Sequence, residues 1–419
     1  MHNSNSSFIK NNESKNIDEN IYDKYFSDIL SNIKNEKRYR KFTYLNYSGS
    51  TFPIATDSLT GNRLTIWCSN NYLGMAHNED IISHHQKSIQ KYGVGAGGTR
   101  NISGSSSSLF DLEFTLSKLY DKESAMVFTS GYIANQSTIE ALGKIIPNAI
   151  IFSDEENHSS IIHGIRASKL PKHIFPHNDI IALQKYLSEY PINQPKIIIC
   201  ESIYSMTGTA APLKDIVSIA KEHNAIIYLD EVHAVGLYGK NGSGLAEELG
   251  LTDQIDIIQG TLGKAYGLVG GYVVSTKNCI DTIMAVAHGF IFTTAIPPAI
   301  AETASFCIKK ISNIDGQNLR IKHKENIKYL KKRMEDKKIP FIDNGYHIIP
   351  IIVGDSQKAE KISSILKSDY KIYIQHINYP TVPRGQERLR IIPTPLHTVD
   401  MIDKLCDALY KVLKLYKII

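Results

Sequence analysis

The chain contains no run of ~18 consecutive apolar residues, so no membrane-spanning helix is expected. Cysteine is scarce. Cys68, Cys200, Cys279, Cys307 and Cys406 stand alone, and no two have metal-ligand or redox spacing. They read as reduced, mostly buried thiols, which suits a reducing compartment such as the cytoplasm. Charge of one sign is not in excess. Forty-seven Lys and Arg oppose 42 Asp and Glu, a net of +5 with no concentrated basic stripe, so a nucleic-acid partner is not expected. The opening MHNSNSSFIKNNESKNIDEN lacks the apolar core of a secretory signal and reads as a disordered polar tail over 1–20. No phosphate-binding P-loop is present, because Gly263-Lys264 is followed by alanine. Gly93-Val94-Gly95-Ala96-Gly97-Gly98 satisfies G-x-G-x-x-G, but the residues before it, 83–92, read as a helix. A dinucleotide fingerprint needs a strand there.

What remains is an ordinary globular composition, 42% apolar and 21% charged. At ~150 residues per domain, 419 residues make two or three domains. Ile21, Tyr25, Ile29 and Ile33 share one face of a predicted helix over 21–39. Short β-branched runs follow at 125–128, 149–152, 196–200, 225–229, 256–259 and 271–275. Helical patterns lie among them, for example at 109–120, 132–143 and 213–223. This alternation predicts an α/β fold with a mainly parallel sheet flanked by helices. Ile197-Ile198-Ile199 is apolar on both faces, as a buried parallel strand should be. Beyond 300, helices at 297–311 and 316–336 precede strands near 347–353, 372–375 and 389–392, then a last helix over 398–415. That reads as a smaller α+β domain. The expected organisation is a tail 1–20, a helix and arm 21–63, a large domain 64–296 and a small domain 297–419.

Ligands of open α/β sheets gather outside the carboxyl ends of the strands. Asp230 and His233 follow one predicted strand, Lys264 a second, Ser153 and His158 a third, and Ser205 a fourth. One chemistry uses such a set together. Pyridoxal phosphate needs a lysine for its Schiff base and an acid to keep its pyridine nitrogen protonated. Lys264 and Asp230 are the candidates. His158 is placed to lie over the ring and His233 to reach the ring oxygen. Ser130-Gly131-Tyr132 opens a predicted helix and offers backbone donors to a phosphate, and Thr261 adds a hydroxyl. Glycines 260, 263, 267, 270 and 271 surround Lys264 and allow close backbone approach. His158 and His163, at i and i+5, do not share a helix face, so no metal pair is expected.

Several ordered segments then resemble the α-oxoamine synthases. They include RYRKF at 38–42, WCSNNYLGM at 67–75, GVGAGGTRNISG at 93–104 and SDEENHSSIIHGIR at 153–166. DEVHAVGLYG at 230–239, GTLGKAYG at 260–267, GFIFTT at 289–294 and YPTVPRGQERLRIIPTP at 379–395 complete the set. The resemblance runs from about Glu36 to the last helix. It implies a fold-type I pyridoxal-phosphate transferase, a homodimer whose active sites lie between subunits. It assigns Lys264 as Schiff-base lysine and acid/base, Asp230 to the pyridine nitrogen, His158 to the ring face, and His233 and Ser205 to the ring oxygen. Ser130, Gly131, Tyr132 and Thr261 would hold the phosphate, with Thr293 and Thr294 entering from the partner subunit. Tyr72 would sit at the cofactor, and Asn70 and Arg390 would bind the carboxylate of glycine. Members that use succinyl-CoA carry Thr-Arg-Asn in the glycine-rich segment, here Thr99-Arg100-Asn101, and an arginine matching Arg40. A guanidinium grips a carboxylate bidentately. Ser153, Lys172 and Thr381 match other contacts to the thioester substrate. Asn71, Gln136 and Thr207 stand where aspartate is usual, and Ser243 replaces a smaller residue. A different acyl donor stays open as an alternative. So does a non-catalytic partner subunit, although such a subunit would be expected to have lost Lys264.

Overall fold

The computed structural model describes residues 21–419; the expected tail lies outside them. The chain divides into two units, Met1–Phe42 and Thr43–Ile419. In the first, the amphipathic pattern forms a helix over Ile21–Asn35 that buries none of its residues. It stops short of the expected 39 because Lys37 takes a left-handed conformation (φ 56°), which ends the helical turn.

The second unit is built on a seven-stranded sheet. Its strands are β1 (Ser124–Phe128), β2 (Ile150–Asp154), β3 (Lys172–Phe175), β4 (Lys196–Glu201), β5 (Ala225–Asp230), β6 (Ile257–Thr261) and β7 (Gly271–Ser275). Their order is β1-β7-β6-β5-β4-β2-β3, and only β7 runs antiparallel to its neighbours. Both faces are covered, which is why the central strands are apolar throughout. Ile198 and Cys200 of β4 enter the core beneath helices Ser107–Tyr120, Leu213–Glu222 and Pro298–Ser312. Ile197 and Ile199 enter the opposite core, beneath Gly131–Ile145, Ser159–Ser168 and Lys277–Val286. The edge strand β3 is an addition to the expected set. Its residues Lys172, His173 and Ile174 are exposed or half-exposed, so no apolar run announces it.

Two smaller sheets complete the unit. Ile349–Ile352, Arg388–Ile391 and His376–Ile377 form an antiparallel sheet packed on helices Ser356–Ser368 and Val399–Leu415. Arg63–Ile66 pairs with Ile54–Asp57 on one side and, in parallel, with Ile372–Tyr373 on the other. That pairing draws the turn after Arg63–Ile66, with Asn70 and Tyr72, toward Arg390 on the C-terminal sheet. The longest helix, Ile314–Asp336, carries many charges, and no helix among the described residues is long and apolar enough to cross a membrane.

Candidate active site

Four of the six co-directional strands end at one edge of the sheet in polar side chains. These are Asp154 on β2, Glu201 on β4, Asp230 on β5 and Thr261 on β6. β1 runs the same way, so Ser130 reaches that edge as well. Ser130 caps helix Gly131–Ile145, its hydroxyl accepting from Ile133 N at 3.2 Å. Gly271 is required here: a Cβ on it would lie 2.4 Å from the Ser130 carbonyl carbon. Gly260 likewise makes room for the Tyr272 ring. These two glycines admit neighbouring protein atoms.

Asp230 is buried, and both its carboxylate oxygens are held. Asn135 Nδ2 donates to Oδ2 at 2.6 Å and Val232 N to Oδ1 at 2.8 Å. Burial raises its pKa, and the Asn135 and Val232 hydrogen bonds and the nearby Lys264 and His158 oppose that rise. Asn135 is itself fixed. Its amide also donates to Ser160 Oγ at 3.0 Å, and its carbonyl accepts from Tyr228 OH at 2.8 Å.

Lys264 lies in the turn after β6. Its Nζ is 2.6 Å from His233 Nε2. Burial lowers the Lys264 pKa to about 7 and outweighs the pull of Asp230. His233 is buried, and desolvation together with the Lys264 and Arg390 charges keeps it well below the usual histidine range. It is therefore a neutral imidazole. Its Nδ1 meets Tyr72 OH at 2.7 Å. Arg390 extends the chain, donating to Tyr72 OH and to Asn70 Oδ1, each at 3.2 Å. Arg390 Nε is buried without a partner, and among the described residues no carboxylate lies within ion-pair distance of this guanidinium. A buried cation without an anion is costly. Its free donors suit the carboxylate of an amino-acid substrate.

His158 opens helix Ser159–Ser168, with Nδ1 2.8 Å from Ser160 Oγ. The residue is exposed, and the partial burial of its ring lowers its pKa. Tyr132 stands edge-on to it at 6.1 Å. Thr261 Oγ1 is engaged by protein, donating to Gly270 O and accepting from Gly263 N, each at 3.0 Å. Ser205 is half-buried in the turn after β4.

The remaining expected residues do not join this network. Thr99 and Thr294 pair as an isolated bridge, and Thr293 and Thr294 line a small recess with Arg100. Asn101 is exposed. Arg100, within the acyl-selective triplet, is bound up in the fold, because Glu113 clamps its guanidinium at 2.7 and 3.0 Å. Ser153 is buried in β2 and accepts from Asn157 Nδ2 at 2.8 Å. Lys172 is exposed where β3 begins, at the edge of the sheet opposite Asp230. Thr381 lies in an exposed loop, and Arg40 belongs to the N-terminal unit. Of the departures, Asn71 Oδ1 accepts from Ala76 N at 3.2 Å, Thr207 donates to Glu156 at 3.1 Å, and Ser243 donates to Glu247 at 2.9 Å. All three have local structural partners. Asn135, which holds Asp230, and Ser160 and Tyr228, which hold Asn135, carry no signal of that role in the sequence. Asn135 lies mid-helix, and only the fold brings it to β5.

Comparison with known proteins agrees with this geometry. The aminotransferase class I and II family pattern matches residues 62–409. A 5-aminolevulinate synthase of Rickettsia prowazekii is 50% identical over 388 residues, 93% of each chain. One of Bradyrhizobium diazoefficiens is 44% identical over 393 residues, covering 93% of this chain and 96% of that one. Among solved structures, a serine palmitoyltransferase from S. paucimobilis with a bound PLP–myriocin aldimine superposes with a TM-score of 0.88. It is 26% identical and covers 96% of this chain and 100% of that one.

Proposed function

The chain belongs to the 5-aminolevulinate synthases of the aminotransferase class I and II family, and we propose that it condenses glycine with succinyl-CoA, releasing CoA and carbon dioxide and giving 5-aminolevulinate. It is an acyltransferase, and its cofactor is pyridoxal phosphate. The observation that carries the reading is the Lys264–His233–Tyr72–Arg390 chain beside a buried, doubly hydrogen-bonded Asp230.

The residues present fit the cofactor. Asp230 offers an anion to the pyridine nitrogen, Lys264 a half-buried amine, His158 an open ring face and the capped helix at Ser130 free backbone donors. When bound, pyridoxal phosphate supplies a protonated ring that accepts the electron pair left as bonds at the substrate α-carbon break. The protein's own groups do the rest. Lys264, with a pKa of about 7, is substantially neutral at physiological pH and able to take the α-proton of glycine at Nζ. His233, neutral, holds Lys264 on one nitrogen and Tyr72 on the other, which fixes the direction of the amine. Arg390 and Asn70 orient the glycine carboxylate. Thr99, Asn101 and Thr381 contact the acyl-CoA, and Arg40 grips the distal succinyl carboxylate; Ser153, buried in β2, and Lys172, at the far edge of the sheet, are assigned to the acyl-CoA by the resemblance alone.

A homodimer with shared sites is part of the same proposal. Phe110 and Phe114, one turn apart on a helix, are 69% and 56% exposed, and Phe292 is 76% exposed. Apolar surface of that kind supports an interface with a second copy, which would bring in Thr293 and Thr294. The cytoplasm is the proposed compartment.

The test is detection of 5-aminolevulinate from glycine with succinyl-CoA, run beside acetyl-CoA and a long-chain acyl-CoA. Turnover with succinyl-CoA should far exceed that with either other donor. Arg40→Ala should raise KM for succinyl-CoA by roughly 10- to 100-fold, as loss of a charged hydrogen-bonded pair does, and spare residual acetyl transfer. Equal turnover of all three donors would overturn the acyl assignment.

A further inference from the structure

Beside Asp230 stands a second buried acid. Glu201 and Asp230 are directly paired across β4 and β5. Side chains at paired positions leave the sheet on the same face. Their exposures are 2% and 3%, so two carboxyls share one water-poor space. Like charges in such a space do not both ionise readily. Their partners are unequal. Asp230 receives two donors, one per oxygen. Glu201 receives a single backbone donor, His158 N to Oε1 at 2.6 Å, and among the described residues no cation lies within ion-pair distance of it. An acid–base pair in one site is told apart by such differences in environment.

We propose that Glu201 is a positioning residue held as the neutral acid of this pair, so that Asp230 is the sole anion presented to the cofactor, while its carbonyl oxygen fixes the main chain at His158. This deepens the functional reading above and rests on it. Asp230 on β5 shares a face with Glu201, and Lys264 after β6, Asp154 ending β2, and Cys200 and Tyr204 on its own segment couple to it electrostatically, with His158 bound to it through its main-chain N–H. Burial and the Asp230 charge both push the Glu201 carboxyl well above the usual range. Lys264 opposes them, but its amine is itself half neutral near pH 7.

The proton is observable without the cofactor. Infrared spectra of the cofactor-free protein at pH 7 should contain a protonated-carboxyl C=O band that Glu201→Gln removes. Glu231, Asp256 and Asp230, also raised by burial, have their contributions assigned with Glu231→Gln, Asp256→Asn and Asp230→Asn. In the second measurement, Glu201→Leu strands the His158 N–H and should weaken cofactor binding about tenfold or more. Glu201→Gln, neutral and still an acceptor, should recover most of that loss and leave the pH dependence of the cofactor absorbance unmoved. If the band survives in Glu201→Gln, or if Glu201→Gln binds the cofactor as poorly as Glu201→Leu, Glu201 is an anion and the proposal fails. A protein that shows the band but makes no 5-aminolevulinate would instead refute the functional reading alone.

Discussion

Replacing Asn135 by alanine tests how the site keeps Asp230 charged. The side-chain amide has three buried partners: Asp230 Oδ2 at 2.6 Å, Ser160 Oγ at 3.0 Å and Tyr228 OH at 2.8 Å. A hydrogen bond to a buried charged group contributes about 1.5–3 kcal/mol, and the stranded Tyr228 hydroxyl costs about 1–3 kcal/mol more. These two terms fall on different observables. Without cofactor, Asp230 can escape its loss by taking a proton, so the free protein's melting temperature reports mainly the Tyr228 and cavity terms. With cofactor, Asp230 must stay an anion, and the charged term is felt in full. Cofactor affinity should therefore fall roughly 10- to 150-fold, the equivalent of 1.5–3 kcal/mol. The assay is titration of the cofactor-free variant with pyridoxal phosphate, followed by absorbance. Asn135→Asp, which turns an acid toward Asp230, should bind more weakly still. If Asn135→Ala melts lower but binds the cofactor as tightly as the parent, Asn135 is only a packing residue and Asp230 is held by other means.

Glu231 gives a pH-dependent stability with a definite sign. Burial raises its pKa from 4.5 to about 7, while its oxygens accept from Leu245 N and Ala246 N at 3.0 and 2.8 Å. The folded state thus holds a proton that the unfolded chain loses above pH 4.5. Stability must fall as pH rises from about 4.5 to about 7, by about 3 kcal/mol in total, and level off above. Glu231→Gln should be less stable at pH 5, yet lose less between pH 5 and 7.5; parallel melting curves for the two proteins would contradict the argument. Glu113→Gln should loosen the glycine-rich segment by breaking the Arg100 clamp, at a cost of about 1–3 kcal/mol. Steady-state kinetics should show KM for the acyl-CoA rising with kcat nearly constant, and an unchanged KM would separate that segment from the acyl site.

The sheet was legible because its strands are buried on both faces. β7 falls where its apolar run does, at Gly271–Ser275, and β4 and β5 extend the expected runs by one polar residue each, Glu201 and Asp230. Those added residues carry the chemistry, since a strand that ends in an acid carries it to the ligand edge. Elements held by distant pairing were not legible. Nothing local in Arg63–Ile66 indicates a partner at Ile372–Tyr373. The reactive groups Lys264, Asp230 and His233 stood out because they follow strands. Their supports did not: Asn135 reads as one more buried position of an amphipathic helix, and nothing local in the Thr99–Asn101 triplet announces that Glu113 holds Arg100.

The electrostatics of the site follow from one physical condition, the exclusion of water, applied to groups of both signs. Desolvation penalises the charged form of every group, so it lowers Lys264, His233 and His158 and raises Asp230 and Glu201. Taken alone, that would leave a site of neutral groups with no electrostatic bias. The hydrogen bonds break the symmetry. Asp230 has a donor on each oxygen, which favours its charged form, whereas Glu201 has one donor, so in the proposed reading the proton of the pair sits on Glu201. Arg390 cannot neutralise at all and has only neutral partners, Asn70 and Tyr72. The result is one anion and one cation, set on different elements, with a neutral histidine and a near-neutral amine between them. In the proposed reading an incoming zwitterion such as glycine needs that division: its carboxylate would meet Arg390 while its α-carbon would face an amine free to accept a proton. In that reading, exchanging the hydrogen bonds of Asp230 and Glu201 would leave every pocket dimension intact and still abolish the chemistry, because the anion would then sit one strand away from the position proposed for the ring nitrogen.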